Sequence, residues 1–442
     1  MPAADPRGAA HPAGRPAARR ATHRAVEAVW RIESARVIAG LAKIVHDVGL
    51  AEELAQDALV IALEQWPDAG VPDNPGAWLM ATAKHRAIDA LRRRGRYGRK
   101  LEEVGRRLEV RQAAAATDLE DALDDHIGDD VLRLIFTAAH PVLSVEARVA
   151  LTLRVLGGVT TDEIARALLV SEPTVAQRIV RAKRTLAKER VPFELPAPGE
   201  LAERLASVLE IIYLIFNEGY SATAGDDWVR PELTQEALRL GRVLAGLMPG
   251  EPEVHGLVAL MEIQASRLRA RVGPSGEAVL LLDQDRGRWD RLLIRRGLAA
   301  LERAEALGGG FGPYALQAAI AACHARAHIP EETDWTRIAA LYQVLAHVSP
   351  SPVVELNRAV AVGMALGPAE GLVVLDALVA ADARALAGYP LLPAVRGDLL
   401  DKLGRHEEAR LEFERAAART RNERERAVFL DRAAGGAGDA AR

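Results

Sequence analysis

The chain has a single cysteine, Cys323, among 442 residues. This excludes an intramolecular disulfide framework and fits a reducing compartment such as the cytoplasm. Aromatic residues make up only 4% of the sequence. No uninterrupted apolar run approaches the roughly 20 residues that cross a bilayer, so no membrane span is expected. Net charge is only −4, so the overall balance advertises no polyanionic partner; charge matters here through its distribution. The opening stretch MPAADPRGAAHPAGRPAARR has arginines but no apolar segment behind them. It reads as a disordered tail rather than an export signal. What is present is a globular composition, 49% hydrophobic and 27% charged, rich in Ala, Leu and Arg. β-Branched runs and hairpin signals are scarce, so the expected fold class is all-α.

The most informative stretch is TTDEIARALLVSEPTVAQRIVRAKRTL, 161–187. Ile164, Ala165 and Leu168 share one face of a first short helix. Ser171 is a good N-cap, and Pro173 falls in the first turn of the next helix, where its missing N–H does no harm. Val175, Ile179, Ala182 and Leu186 form that helix's inward stripe. Thr174, Gln177, Arg178, Arg181, Lys183 and Arg184 occupy its other faces. Hydrogen-bonding and cationic side chains beginning near a helix N-terminus suit a helix-turn-helix that reads the major groove. An amphipathic helix pair with a solvated basic face has the same pattern.

The rest of the chain is organised around this element. Residues 1–23 read as tail and 24–97 as a helical block broken by the loop WPDAGVPDNPGAW, 66–78. Between Lys84 and Lys100 lie eight Lys/Arg against one acid, Asp89, enough for a cationic patch. A linker is expected over 98–130, ending in DLEDALDDHIGDD, a run of seven acids suited to a solvated linker or to imitation of a nucleic acid. A second helical block spans 131–190. Residues 191–201, with three prolines, read as an interdomain linker, 202–435 as a large helical domain and 436–442 as a tail. Near the C-terminus, Gly397, Leu400, Gly404, Ala409, Phe413 and Ala416 follow the spacing of a tetratricopeptide helix pair, and Ala359, Gly371, Leu375 and Leu378 follow it more weakly.

Two basic helical segments about 80 residues apart with a polar linker between them resemble regions 2 and 4 of the sigma-70 family. The likeness is to its extracytoplasmic-function (ECF) members. AEELAQDALVIALEQW, 51–66, resembles the region 2 helix that docks on the β′ clamp of core RNA polymerase. On this resemblance Leu54, Ala58, Ile61 and Leu63 pack or dock, while Glu53, Gln56 and Asp57 face the polymerase. NPGAWLMATAKHRAIDALRRR, 74–94, is similar to the segment that melts and holds the −10 element. This implies contacts from Asn74, His85, Arg86, Arg92 and Arg93, with Trp78 more simply a core anchor. Residues 131–186 resemble region 4, which reads the −35 element and meets the β flap. Gln177, Arg178 and Arg181 are then the expected principal contacts, with Thr174 and Lys183 secondary.

Beyond region 4 the chain resembles the ECF subgroup with a fused tetratricopeptide-like domain, through IIYLIFNEGYSAT, LLDQDRGRWD, PYALQAAIAACHA and ELNRAVAVGMALG. That domain would regulate the sigma regions, with an unknown effector or protein as its partner. Its polar residues include Asn217, Glu218, Asp283, Gln284, Asp285, Arg286, Arg288, Trp289 and Asp290. The acids and arginines of QDR and RWD are expected to form interhelical ion pairs or an interface with regions 2 and 4, with a ligand pocket or effector surface as the alternative. Cys323 and His324, adjacent in sequence, do not share a helix face, so they make poor catalytic partners. His324 and His328 are spaced to share a metal, but no third ligand or H-E-x-x-H pattern accompanies them. No enzyme activity, metal or cofactor is therefore expected. Two other readings remain at this level: a helix-turn-helix regulator with a repeat-type sensor that acts without polymerase, and an enzyme with an accessory DNA-binding module. The first leaves 51–94 unexplained, and the second lacks a nucleophile, base or metal arrangement.

Overall fold

A computed structural model describes residues 15–102, 127–220, 229–274, 277, 279–308, 312–381, 386, 388–420 and 422–435. These residues are helical and contain no β-strand, as the sequence predicts. They divide into two compact units. One runs to Arg166 and resumes over Val170–Ile211; the other comprises Ala167–Leu169 and the chain from Ile212. No helix among the described residues is long and apolar enough to cross a membrane.

The first unit starts with three packed helices: α1 (Arg15–Val45), α2 (Val48–Ala69) and α3 (Pro75–Glu102). Residues 15–23, which the sequence suggested were tail, are the start of α1. Val26, Trp30, Val37, Ile38 and Leu41 form its buried stripe. Asp47 caps α2 by accepting from Leu50 N at 3.0 Å. Ala51, Leu54, Ala58, Ala62 and Trp66 then recur at helical spacing on its buried side. Asn74 opens α3 by accepting from Ala77 N at 3.1 Å, and Leu79, Ala83 and Ala87 are buried.

Four more helices follow: α4 (Ile127–Ala138), α5 (Val145–Val155), α6 (Thr161–Ala167) and α7 (Glu172–Lys188). Because α4 begins at Ile127, the end of the acidic run is helical. Its first part, 118–126, lies outside the described residues. Phe136, Leu134, Leu151, Leu153 and Ile164 are among the most buried side chains. Between α5 and α6, Gly158 has φ +62, and a Cβ there would lie 2.7 Å from Ser34 Oγ. Both the left-handed backbone and the close approach to α1 require glycine.

After the proline-containing segment comes α8 (Leu201–Tyr220). Its first half belongs to the first unit. Arg204 Nη2 donates to Phe136 O at 2.9 Å, Ser207 Oγ donates to Ala139 O at 2.8 Å, and Arg148 Nη1 donates to Ser207 Oγ and Glu210 Oε2 at 2.5 and 3.3 Å.

The second unit takes the rest of α8 and then α9 (Pro231–Leu247), α10 (Pro252–Ala265), α11 (Arg291–Ala306), α12 (Pro313–Arg326) and α13 (Trp335–Val348). Between α10 and α11 the chain makes short 3₁₀ turns at Leu268–Ala270, Leu281–Asp283 and Arg286–Arg288. Two helical hairpins then follow, α14 (Pro352–Leu366) with α15 (Pro368–Ala381), and α16 (Leu391–Lys402) with α17 (His406–Arg419). The last helix is α18 (Glu423–Gly435). These hairpins are the repeats read from the sequence. Gly397 lies against the Phe413 ring, and Ala359, Leu375, Leu400, Ala409 and Phe413 are buried in one cluster. Gly371 brings α15 onto α14 so closely that a Cβ would lie 2.9 Å from Ala359 O.

Candidate nucleic-acid interface

The helix-turn-helix is built as its sequence predicts. Ser171, with φ −70, accepts from Thr174 N at 3.4 Å, Pro173 sits in the first turn, and Val175, Ile179, Ala182 and Leu186 are buried. Burying that stripe leaves Gln177, Arg181 and Arg184 exposed and Arg178 half-buried. Thr174 is drawn into the cap, its hydroxyl 2.8 Å from Ser171 Oγ. Gln177 and Arg181 are one helical turn apart (i, i+4), so together they present a donor-rich edge.

A second cationic face lies on α3. His85, Arg86, Arg92 and Arg93 are exposed there, and Arg93 Nε donates to Asp89 O at 3.2 Å. Asn74 is exposed at the helix start, but its amide oxygen is occupied by the cap. Trp78 packs edge-on against the buried Trp66 with centroids 5.3 Å apart. On α2, Glu53 and Asp57 are exposed, and Ile61 is half-buried. Gln56 is half-buried and donates to Glu52. Arg86 Nη1 lies 3.9 Å from Asp57 Oδ2, so the expected polymerase-facing and DNA-facing residues adjoin. Val60, 51% exposed, completes the Glu53–Asp57 face. The sequence reading missed it, although its i+3 spacing from Asp57 was a usable signal.

Lys183 is placed differently from the other α7 candidates. Its Nζ donates to Glu52 on α2, and Glu52 is only 3% exposed. Arg154 Nε on α5 donates to the same carboxylate at 2.8 Å. Two further pairs join the same helix groups: Arg31 Nη2 to Glu163 Oε1 at 2.5 Å, and Lys43 Nζ to Asp130 Oδ2 at 3.3 Å. Asp130 also accepts from Arg133. Glu163 holds its carboxyl below the usual range because Thr160 N and Oγ1 donate to it and Arg31 and Arg166 lie nearby, outweighing its partial burial. Glu52, Arg154 and the Arg31–Glu163 pair were not singled out from the sequence, since their partners are more than a hundred residues away.

The sequence matches the Sigma-70 region 2 family over residues 32–97 and the Sigma-70, region 4 family over 133–186. ECF RNA polymerase sigma factors named SigK, from Mycobacterium ulcerans (strain Agy99) and Mycobacterium bovis (strain BCG / Pasteur 1173P2), are 30% and 31% identical to it over 157 residues. Those residues make up 34% of this chain and 78% of each SigK. The chain belongs to the ECF branch of the sigma-70 family. The sigma factor also carries a C-terminal extension, of which residues 204–305 match a family of unknown function, DUF6596. An uncharacterized protein of Rhizobium meliloti (strain 1021) is 44% identical over 395 residues, 89% of this chain and 92% of its own length. Sigma factors are transcription initiation factors rather than enzymes.

Among the described residues, the polar segment at 283–290 of this sigma factor's extension makes no interhelical ion pair, one of the alternatives its sequence offered. Asp285 Oδ1 accepts from Gly287 N at 2.8 Å, and Asp290 Oδ1 caps α11 by accepting from Leu292 N and Leu293 N at 2.9 and 3.1 Å. Arg286 Nη1 donates to His324 O and Ala327 O, both at 2.9 Å, and its Nη2 donates to Thr333 Oγ1 at 3.0 Å. Aspartates here serve turns and helix starts. The arginine binds the carbonyl end of α12, where the helix dipole favours a cation. Burial beside the Arg267 and Arg286 guanidiniums pushes His324 down to about 3. Cys323 is buried, and burial raises its thiol. Among the described residues no group of three or more His, Cys, Asp or Glu is placed to hold a metal ion.

Proposed function

We propose that this sigma factor binds core RNA polymerase and directs it to a particular promoter set, with α7 reading the −35 element and α3 opening the −10 element. Gln177, Arg178 and Arg181 contact the −35 duplex. His85, Arg86, Arg92 and Arg93 hold phosphates and bases of the opened −10 strand, and Asn74 lies at the edge of that site. The exposed Glu53–Asp57–Val60 face of α2, with Gln56 and Ile61 at its margin, docks on the β′ clamp, and the 131–190 block meets the β flap. The helical extension from 202 to 435 regulates these steps, and the protein acts in the cytoplasm. Thr174 and Lys183 contribute to DNA contact only after leaving the partners they have here.

The observation that carries this reading is the presence of two exposed cationic helix faces, on α3 and on α7, within a single unit. Cations on phosphates supply affinity, and an opened strand needs a basic helix to hold it. The test is promoter-specific transcription by purified full-length protein with core polymerase on a panel of promoter fragments. Run-off products that depend on the added protein support the proposal. Failure to bind core polymerase sinks it, and duplex binding without polymerase would favour a helix-turn-helix regulator.

A further inference from the structure

A groove of about 590 Å³ opens on the second unit, between the end of α10 and the start of α11. Leu268, Arg269, Val272, Arg288, Trp289 and Asp290 line it. Arg269 and Arg288 are exposed, and their guanidiniums have no hydrogen-bond or ion-pair partner among the described residues. The Trp289 indole is 2% exposed and has two further guanidiniums over its ring, Arg267 at 5.1 Å and Arg286 at 5.0 Å from its centre. Neither of these buried cations has a carboxylate partner among the described residues. Arg267 donates to Ala321 O at 3.3 Å, and Arg286 donates to the carbonyls and hydroxyl given above. The one carboxylate lining the groove, Asp290, is engaged by two backbone N–H groups of α11. Trp289 Nε1 and the Nε atoms of both buried arginines are buried without a partner.

The groove lining carries two exposed guanidiniums, Arg269 and Arg288, against one carboxylate, Asp290, so the lining itself is positive. Arg267 and Arg286 lie near the Trp289 ring, and Glu331 and Glu332 act on Arg286. Guanidinium forks match phosphate oxygens in pairs, and they favour a multiply charged anion over a single carboxylate. Leu268 and Val272 add apolar wall beside the two exposed forks, and the volume falls within the roughly 300–1,000 Å³ range of small-molecule sites.

We propose that this groove binds an organic phosphate of nucleotide size, its phosphates held by Arg269 and Arg288 and its organic body lying against Leu268 and Val272. This gives the extension a small-molecule ligand, and it does not depend on polymerase or promoter binding.

The test is calorimetric titration and thermal melting of the full chain with sodium pyrophosphate and with ADP. Sodium chloride and citrate at matched ionic strength serve as controls. Both phosphate probes should bind, ADP the more tightly, and a hundredfold excess over the dissociation constant should raise the melting midpoint by about 5 °C. Arg269→Ala with Arg288→Ala should weaken both probes about tenfold or more. Arg288→Lys should retain part of the affinity. Both side chains are exposed, so these variants keep the fold. Binding no stronger than the salt controls, citrate binding as tightly as pyrophosphate, or an unchanged affinity in the double variant would each overturn the proposal. Equal affinity for pyrophosphate and ADP would overturn the nucleotide-sized assignment.

Discussion

Glu52 on α2 and Lys183 on α7 form an ion pair in which both side chains are mostly shielded from water, 4% and 16% exposed. Arg154 completes a triad on the same carboxylate. Removing one member of a buried pair costs about 3–5 kcal/mol, because the remaining charges lose their partner. In Glu52→Gln, Lys183 and Arg154 should recover hydration by separating α2 from α5 and α7. Small-angle scattering should then show a larger radius of gyration, while far-UV circular dichroism stays helical. An unchanged radius at full helicity would show that the triad does not hold these helices together.

Gln177 and Arg181 are exposed and make no side-chain hydrogen bond or ion pair among the described residues. Arg181→Ala should therefore leave the melting midpoint unchanged and lower transcription from a matched promoter about 5- to 150-fold, the range of a lost base contact at about 1–3 kcal/mol. A uniform loss across all −35 sequences would assign Arg181 to phosphate instead.

On α3, Arg92→Ala and Arg93→Ala should each reduce the salt dependence of promoter binding by about one unit of log K against log salt. Filter-binding or fluorescence titrations of holoenzyme at several salt concentrations measure this. A slope equal to that of the unaltered protein would remove those residues from the phosphate contacts.

The division of α8 between the units makes truncation informative. Ending the chain at Pro192 removes Arg204, Ser207 and Glu210 with their bonds to Phe136, Ala139 and Arg148. At about 0.5–1.5 kcal/mol per hydrogen bond, three or four such losses amount to roughly 2–6 kcal/mol. A chain ending at Pro192 should therefore melt lower than one ending at Ile211. Equal midpoints would show that the first half of α8 adds nothing to the first unit.

Acid should weaken the fold through His324 and His140, lowered to about 3 and about 4, with burial the largest cause in both. Each is held neutral in the folded chain and titrates near 6.5 when unfolded. Their stabilisation is present above pH 6.5 and is lost as pH falls from there toward the folded values. Melting midpoints followed from pH 7 to pH 4 should decline, and His324→Phe, which keeps a ring against Trp335, should flatten the decline. An identical slope in the variant would exclude His324 as a source.

Much of this was legible in the sequence, because it depends on local rules. The Ser171 cap, Pro173 and the Val175–Leu186 stripe specify α7 without help from distant residues. The Gly397–Phe413 spacing specifies a close-packed hairpin in the same way. Glu52 was half legible. It is one turn after Val48 and beside Ala51 and Ala55, so the α2 stripe places it inward, while neighbouring Glu53 points out. Nothing local could name Lys183 and Arg154 as the groups that make an inward carboxylate tolerable. The 283–290 segment failed for the opposite reason: acids next to arginines suggested ion pairs, but short turns and an exposed helix start offered the aspartates nearer donors in the backbone.

The contacts at Glu52 acquire a length scale once a promoter is considered. On the proposed function, α3 and α7 contact two separate elements along a duplex that rises about 3.4 Å per base pair. A promoter whose two elements lie farther apart than α3 and α7 do here would be engaged at both only if Glu52 released its two cations. Each such promoter complex would then include that separation in its free energy, and apparent affinity would be lowered by the fraction of molecules still joined. In these terms the triad would set a threshold that sites binding both helices well exceed and sites binding only one do not.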